Sequence, residues 1–137
     1  MNHYYRYVDK ARALLERSSV HRERFNRWLA ALRSGDYKQT VKRLHRPDGF
    51  CCLGVACDLF NSDGWDVDLN WGTDAFSDQT LPEDVSRWLF DLWEADPVVY
   101  IKHSDEWMSL TSLNDGQGYT FEQIADALEE TYLGGDA

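Results

Sequence analysis

Phe25, Trp28, Leu29 and Leu32 stand at offsets 0, 3, 4 and 7, so a helix over residues 20–33 carries one broad apolar face. A face of that width has to be covered by another element. The same spacing recurs over residues 4–17 (Tyr4, Val8, Ala11, Leu14, Leu15) and residues 82–94 (Val85, Trp88, Leu89, Leu92, Trp93), and it returns after Thr120 (Phe121, Ile124, Ala125, Leu128). Repeated stripes of this kind predict helices that pack on one another.

The punctuation agrees with that reading. Ser18 and Ser19 interrupt the first stripe and supply a cap for the next helix, and Gly35 can take the left-handed conformation that closes it. Pro47-Asp48-Gly49 reads as a turn into a helix over 51–60, where Cys52, Val55, Ala56 and Leu59 line one side. Leu53 and Phe60 broaden that surface, as expected of a central helix. Thr80 is the expected cap of the 82–94 helix, Pro82 suits its first turn, and Asp96-Pro97 stops it. Thr120 with Gln123 three residues later forms a capping-box pattern.

Strand signals are fewer. Residues 65–70 alternate Trp65, Val67 and Leu69 with polar residues, residues 98–101 are rich in β-branched side chains, and 107–110 are a weaker partner for them. The fold class is therefore α+β, with about five short helices around one core and a small β-hairpin or short antiparallel sheet. A length of 137 residues suits one compact domain over 1–137, with 1–18 a candidate peripheral N-terminal helix.

Composition narrows the setting. No apolar run approaches the roughly 20 residues that span a bilayer, and residues 1–14 lack the apolar region of a secretory signal, so no membrane contact is expected. The three cysteines, Cys51, Cys52 and Cys57, are an odd number with two adjacent, which argues against a disulfide framework and for the reducing cytoplasm.

The net charge of -10 conceals a division. Through Arg46 the chain holds 12 Lys and Arg against 4 Asp and Glu, net +8, whereas the remainder holds 2 against 20, net -18. The halves can attract one another within the fold or across a homo-oligomer, or either can meet a charged partner.

Candidate sites follow from these features. Cys51 and Cys52 sit where a helix N-terminus would lower a thiol pKa, and thiol catalysis would need a proton-transfer partner such as His45, His103 or His21. The simpler reading makes the cysteines core residues, with Gly54 admitting a close approach of another backbone or an aromatic ring. Zinc on His45, Cys51, Cys52 and Cys57 would require a distorted turn because adjacent cysteines point apart on a helix. Residues 114–118 lack the alternating acids of a calcium loop and the third glycine of a dinucleotide fingerprint, so neither metal nor cofactor is expected. Arg24, Arg27, Tyr37, Lys42, Arg43 and Trp71 are the candidate interaction residues.

Three segments carry a resemblance: residues 28–39, from Trp28-Leu29 through Gly35-Asp36-Tyr37 to Gln39; Cys51-Cys52-Leu53-Gly54-Val55 and its continuation to Leu59; and Leu113-Asn114-Asp115-Gly116, followed by Thr120-Phe121. Together they resemble a family of small uncharacterised bacterial and phage proteins, over residues 25–132. The resemblance implies a phage-associated accessory protein and assigns no activity, ligand or catalytic residue. Lys42-Arg43-Leu44 and Arg46-Pro47-Asp48 depart from the family pattern.

The leading functional expectation is a non-enzymatic protein-interaction or regulatory module with a protein partner. A thiol-dependent enzyme using Cys51 or Cys52 is the main alternative. A nucleic-acid-binding domain using Arg22, Arg24, Arg27, Arg33, Lys42, Arg43 and Arg46 is the third.

Overall fold

Ser18 begins the central helix in the way its position predicts. Its Oγ accepts the His21 N–H at 3.3 Å and lies 2.7 Å from His21 Nδ1. A computed structural model describes residues 6–60 and 80–134. In it α1 (Arg6–Arg17) leads through Ser18 into α2 (Ser19–Ser34), which Gly35 closes at φ 82°. The expected strand at 65–70 and Trp71 lie outside the described residues.

Next come the short strands β1 (His45–Arg46) and β2 (Gly49–Phe50), then α3 (Cys52–Phe60), α4 (Glu83–Phe90), β3 (Val98–Ile101) and β4 (Glu106–Ser109). A π turn (Ser112–Gly116) precedes α5 (Phe121–Tyr132). This is a mixed α+β fold of short helices with two antiparallel hairpins, β1–β2 and β3–β4. The β1–β2 hairpin arises where the sequence shows only a turn, because each of its strands is two residues long and leaves no alternation to detect.

α2 sits at the centre of the packing. Phe25 meets the rings of Trp28, Phe90 and Tyr132 at centroid distances of 5.9, 5.9 and 5.7 Å. The indole N–H of Trp28 donates to the Cys52 carbonyl at 3.0 Å, which fixes α3 against α2. Residues 52–57 are buried on every side, as expected of a central helix. α1 buries Val8, Ala11, Leu14 and Leu15, while α5 buries Phe121, Ile124, Ala125 and Leu128 and carries the full Thr120–Gln123 capping box.

α4 is shorter than its periodicity predicts, and its N-cap is Pro82 rather than Thr80. Ser86 Oγ donates to the Leu92 carbonyl at 2.7 Å and accepts the Glu94 N–H at 2.9 Å, drawing the chain back across the helix. Asp91 turns left-handed at φ 57°. Trp93 consequently stands 48% exposed instead of continuing the buried face.

β3 pairs with β4 in the register Val98↔Ser109 to Ile101↔Glu106. Its other flank is met by side chains. The Val98 N–H donates to Tyr7 Oη at 2.7 Å, Tyr132 Oη donates to the Val98 carbonyl at 2.7 Å, and the Tyr100 N–H donates to Thr131 Oγ1 at 3.0 Å.

Candidate functional site

The loop between α2 and α3 carries Lys38, Lys42, Arg43, His45 and Arg46. Its backbone is braced on both sides. Phe50 donates its N–H to the Lys38 carbonyl and accepts from the Thr40 N–H, each at 2.8 Å. Gly49 is buried against the Lys38 carbonyl so closely that a Cβ there would lie 2.2 Å from the oxygen. Leu44 is fully buried and pins the middle of the loop, while the Arg46 Nε–H donates to the Val41 carbonyl at 2.8 Å. Lys42 is left-handed at φ 72°, and its N–H donates to Asp115 Oδ1 at 2.9 Å.

Beneath the loop lies a buried amide. Asn114 Oδ1 accepts from Gln39 Nε2 at 2.9 Å and from the Cys52 N–H at 3.2 Å. Asn114 Nδ2 donates to the Thr40 carbonyl at 2.8 Å and to Asp115 Oδ1 at 2.9 Å. Gln39 in turn donates to the Tyr119 carbonyl at 2.8 Å and accepts the Phe121 N–H at 3.0 Å. The three motif segments thus converge on one hydrogen-bond network, with the π turn aiming Asn114 at the start of α3. Nothing in the sequence marks Gln39 and Asn114 as partners, because each stands in a polar segment that reads as a loop or turn, where an amide side chain is unremarked.

The thiols are placed differently from what nucleophilic chemistry needs. Leu53 and Gly54 do direct their backbone N–H groups at the Cys51 sulfur, yet burial dominates and pushes this thiol up to about 12. Cys52 and Cys57 are fully buried and shifted upward for the same reason, and all three are free cysteines. The histidines go elsewhere. His45 stacks on Phe50 at 4.3 Å and donates from Nδ1 to the Gly49 carbonyl at 3.0 Å, His21 joins Ser18, and His103 lies exposed between β3 and β4. Among the described residues no three His, Cys, Asp or Glu side chains cluster as metal ligands.

Two consequences are measurable. Alkylation of the native thiols at neutral pH is expected to run about a hundredfold or more slower than in urea, because three pH units separate a thiol at about 12 from the ordinary 9.0. An acid whose folded pKa is raised contributes stability below its unfolded pKa and loses it as pH rises, so urea midpoints should fall above about pH 9. A Cys51→Ser variant should lose part of that alkaline slope.

The basic residues divide into two groups. Arg24 donates to the Trp88 carbonyl at 3.0 Å with its guanidinium 5.3 Å from the centroid of the Trp88 ring, which occupies it structurally. Arg33 pairs with Asp126 at 2.7 Å and Glu129 at 2.8 Å, so part of the charge division in the sequence closes between α2 and α5. Tyr37 donates to Asp58 Oδ2 at 2.7 Å, and burial followed by that carboxylate raises it to about 12, with Arg27 near enough to oppose the shift. Lys38, Lys42 and Arg43 remain exposed on the braced loop, and Arg46 is half-buried beside them. A groove of about 530 Å³ between the β3–β4 turn and α5 includes Lys102 and Asp126, but these charges are already paired with Glu130 and Arg33.

Among the described residues no helix is long and apolar enough to cross a membrane. Neither a curated protein nor a solved structure matches the chain. Residues 21–132 match a family described as a domain of unknown function, DUF8296, and the match takes in the braced loop, the Asn114 network and the buried thiols. The chain belongs to the DUF8296 family.

Proposed function

We propose that this protein is a non-enzymatic interaction module, of the accessory kind found in bacteria and their phages, whose contact surface is the basic loop 38–46 and whose partner is a protein with an acidic face. One observation carries the reading: the loop's backbone is held rigidly from within while Lys38, Lys42 and Arg43 face outward. A surface ordered before binding loses little conformational entropy on docking. Local charge governs such contacts at physiological salt, where screening over about 8 Å separates the loop from more distant carboxylates. Exposed Arg27, with Tyr37 beside it, extends the surface along α2.

A nucleic-acid partner is less favoured. Lys38, Lys42, Arg43 and Arg46 would neutralise only about four phosphates, against a chain whose net charge is -10. Thiol catalysis is disfavoured by the burial of Cys51 and Cys52. The test is capture from a lysate of the native host with the wild-type chain and with a K42E/R43E/R46E variant. Reversal is expected to weaken capture of a specific partner about a hundredfold, or ~3 kcal/mol, and raised salt should weaken the wild type. Equal capture by both chains would overturn the loop assignment, and salt-sensitive binding of oligonucleotides alone would replace the protein partner with nucleic acid.

A further inference from the structure

α1 lies outside the matched segment 21–132, and it does more than cover the core. Lys10, Ala13, Leu14 and Arg17 fall at offsets 0, 3, 4 and 7, a second stripe beside the core stripe of Val8, Ala11 and Leu15. This second stripe forms one wall of a pocket of about 330 Å³, and Phe90, Asp91 and Leu92, where α4 turns left-handed, form the other. The pocket therefore exists only because α1 is docked beside the end of α4. Its floor is apolar, with Leu14 and Phe90 both almost fully buried. At its rim Lys10 and Arg17 are exposed, and among the described residues neither forms an ion pair, with Asp91 or with any other carboxylate.

We infer that this pocket holds an acidic peptide segment of a partner protein, with one bulky apolar side chain seated on Leu14, Phe90 and Leu92 and its carboxylates against Lys10 and Arg17. The size suits a single large side chain, and the two cations against the single Asp91 carboxylate set the sign of the occupant. The site is independent of loop 38–46, so either assignment can fail without the other.

The probe is a fluorescein-labelled acidic peptide carrying one leucine and one phenylalanine, titrated into the full chain by anisotropy. Saturable binding is expected, weakened at least tenfold in K10E/R17E and in A13W, which fills the pocket from an exposed position without altering charge. Four results would overturn the inference: absence of saturation; equal binding of an all-acidic peptide lacking the apolar residues; loss in K42E/R43E with retention in K10E/R17E; or tighter binding of an oligothymidylate at Lys10 and Arg17.

Discussion

Gly54→Ala is expected to abolish the cooperative urea transition seen by tryptophan fluorescence. An added Cβ would lie 1.8 Å from the Leu44 carbonyl oxygen and 2.7 Å from its carbon, and both atoms are backbone. Neither side can yield. Leu44 is fully buried, its carbonyl accepts the Cys51 N–H at 3.1 Å, and α3 is held from behind by the Trp28 indole on Cys52. Ordinary overpacking costs ~1–3 kcal/mol. A clash against a fixed backbone should exceed that range and take most of the ~5–15 kcal/mol that folded domains possess. Gly116→Ala is the control, since a Cβ there meets nothing within 4 Å, and its effect should stay within ~0.5 kcal/mol. A Gly54→Ala chain that unfolds like the wild type would show that α3 and the loop can separate freely.

Asn114→Ala should lower stability by ~3 kcal/mol and loosen the basic loop as well. The substitution removes the acceptor of the Cys52 N–H and of Gln39 Nε2 together with the donor to the Thr40 carbonyl. Each buried group left without a partner costs ~1–3 kcal/mol, and the terms overlap because one amide serves all of them. Two measurements separate the effects. Urea midpoints report the global loss, while limited trypsin digestion reports cleavage after Lys42 and Arg43, which should accelerate by more than the stability change requires. If Asn114→Ala digests at those bonds as slowly as the wild type, the network does not hold the loop.

Which parts could be read from sequence depended on how far apart the interacting residues lie in the chain. The stripes of α1, α2 and α5, the Ser18 cap, the Gly35 stop and the Thr120–Gln123 box all involve residues a few positions apart, and each was legible. Gly54 was also legible as a site of close approach, although not that the neighbour would be the Leu44 carbonyl. α4 was overextended because Ser86 captures Leu92 and Glu94 through its hydroxyl, which competes with the helix and leaves no periodic trace. The bonds from Asn114 to Gln39, Thr40 and Cys52 join residues 62 to 75 positions apart, beyond any local pattern. For Cys51 the core reading prevails over the activated-thiol reading. The helix amides are where the sequence put them, but the cost of burying a charge outweighs what they contribute. Similarly, the basic third of the chain could not be divided by inspection into Arg33, spent on α5, and Lys42, left facing outward.

The hydroxyls along β3 bear on whether another strand can add to its open side. A strand with one bare flank is a template on which a second chain can lay down a strand of its own, and growth from such a start leads to fibres. Here Tyr7, Thr131 and Tyr132 occupy that flank, and Tyr7 is contributed by the helix outside the family segment. The N-terminal helix thus completes the cover of that flank, and a chain trimmed to the family segment alone would leave the Val98 amide without its acceptor.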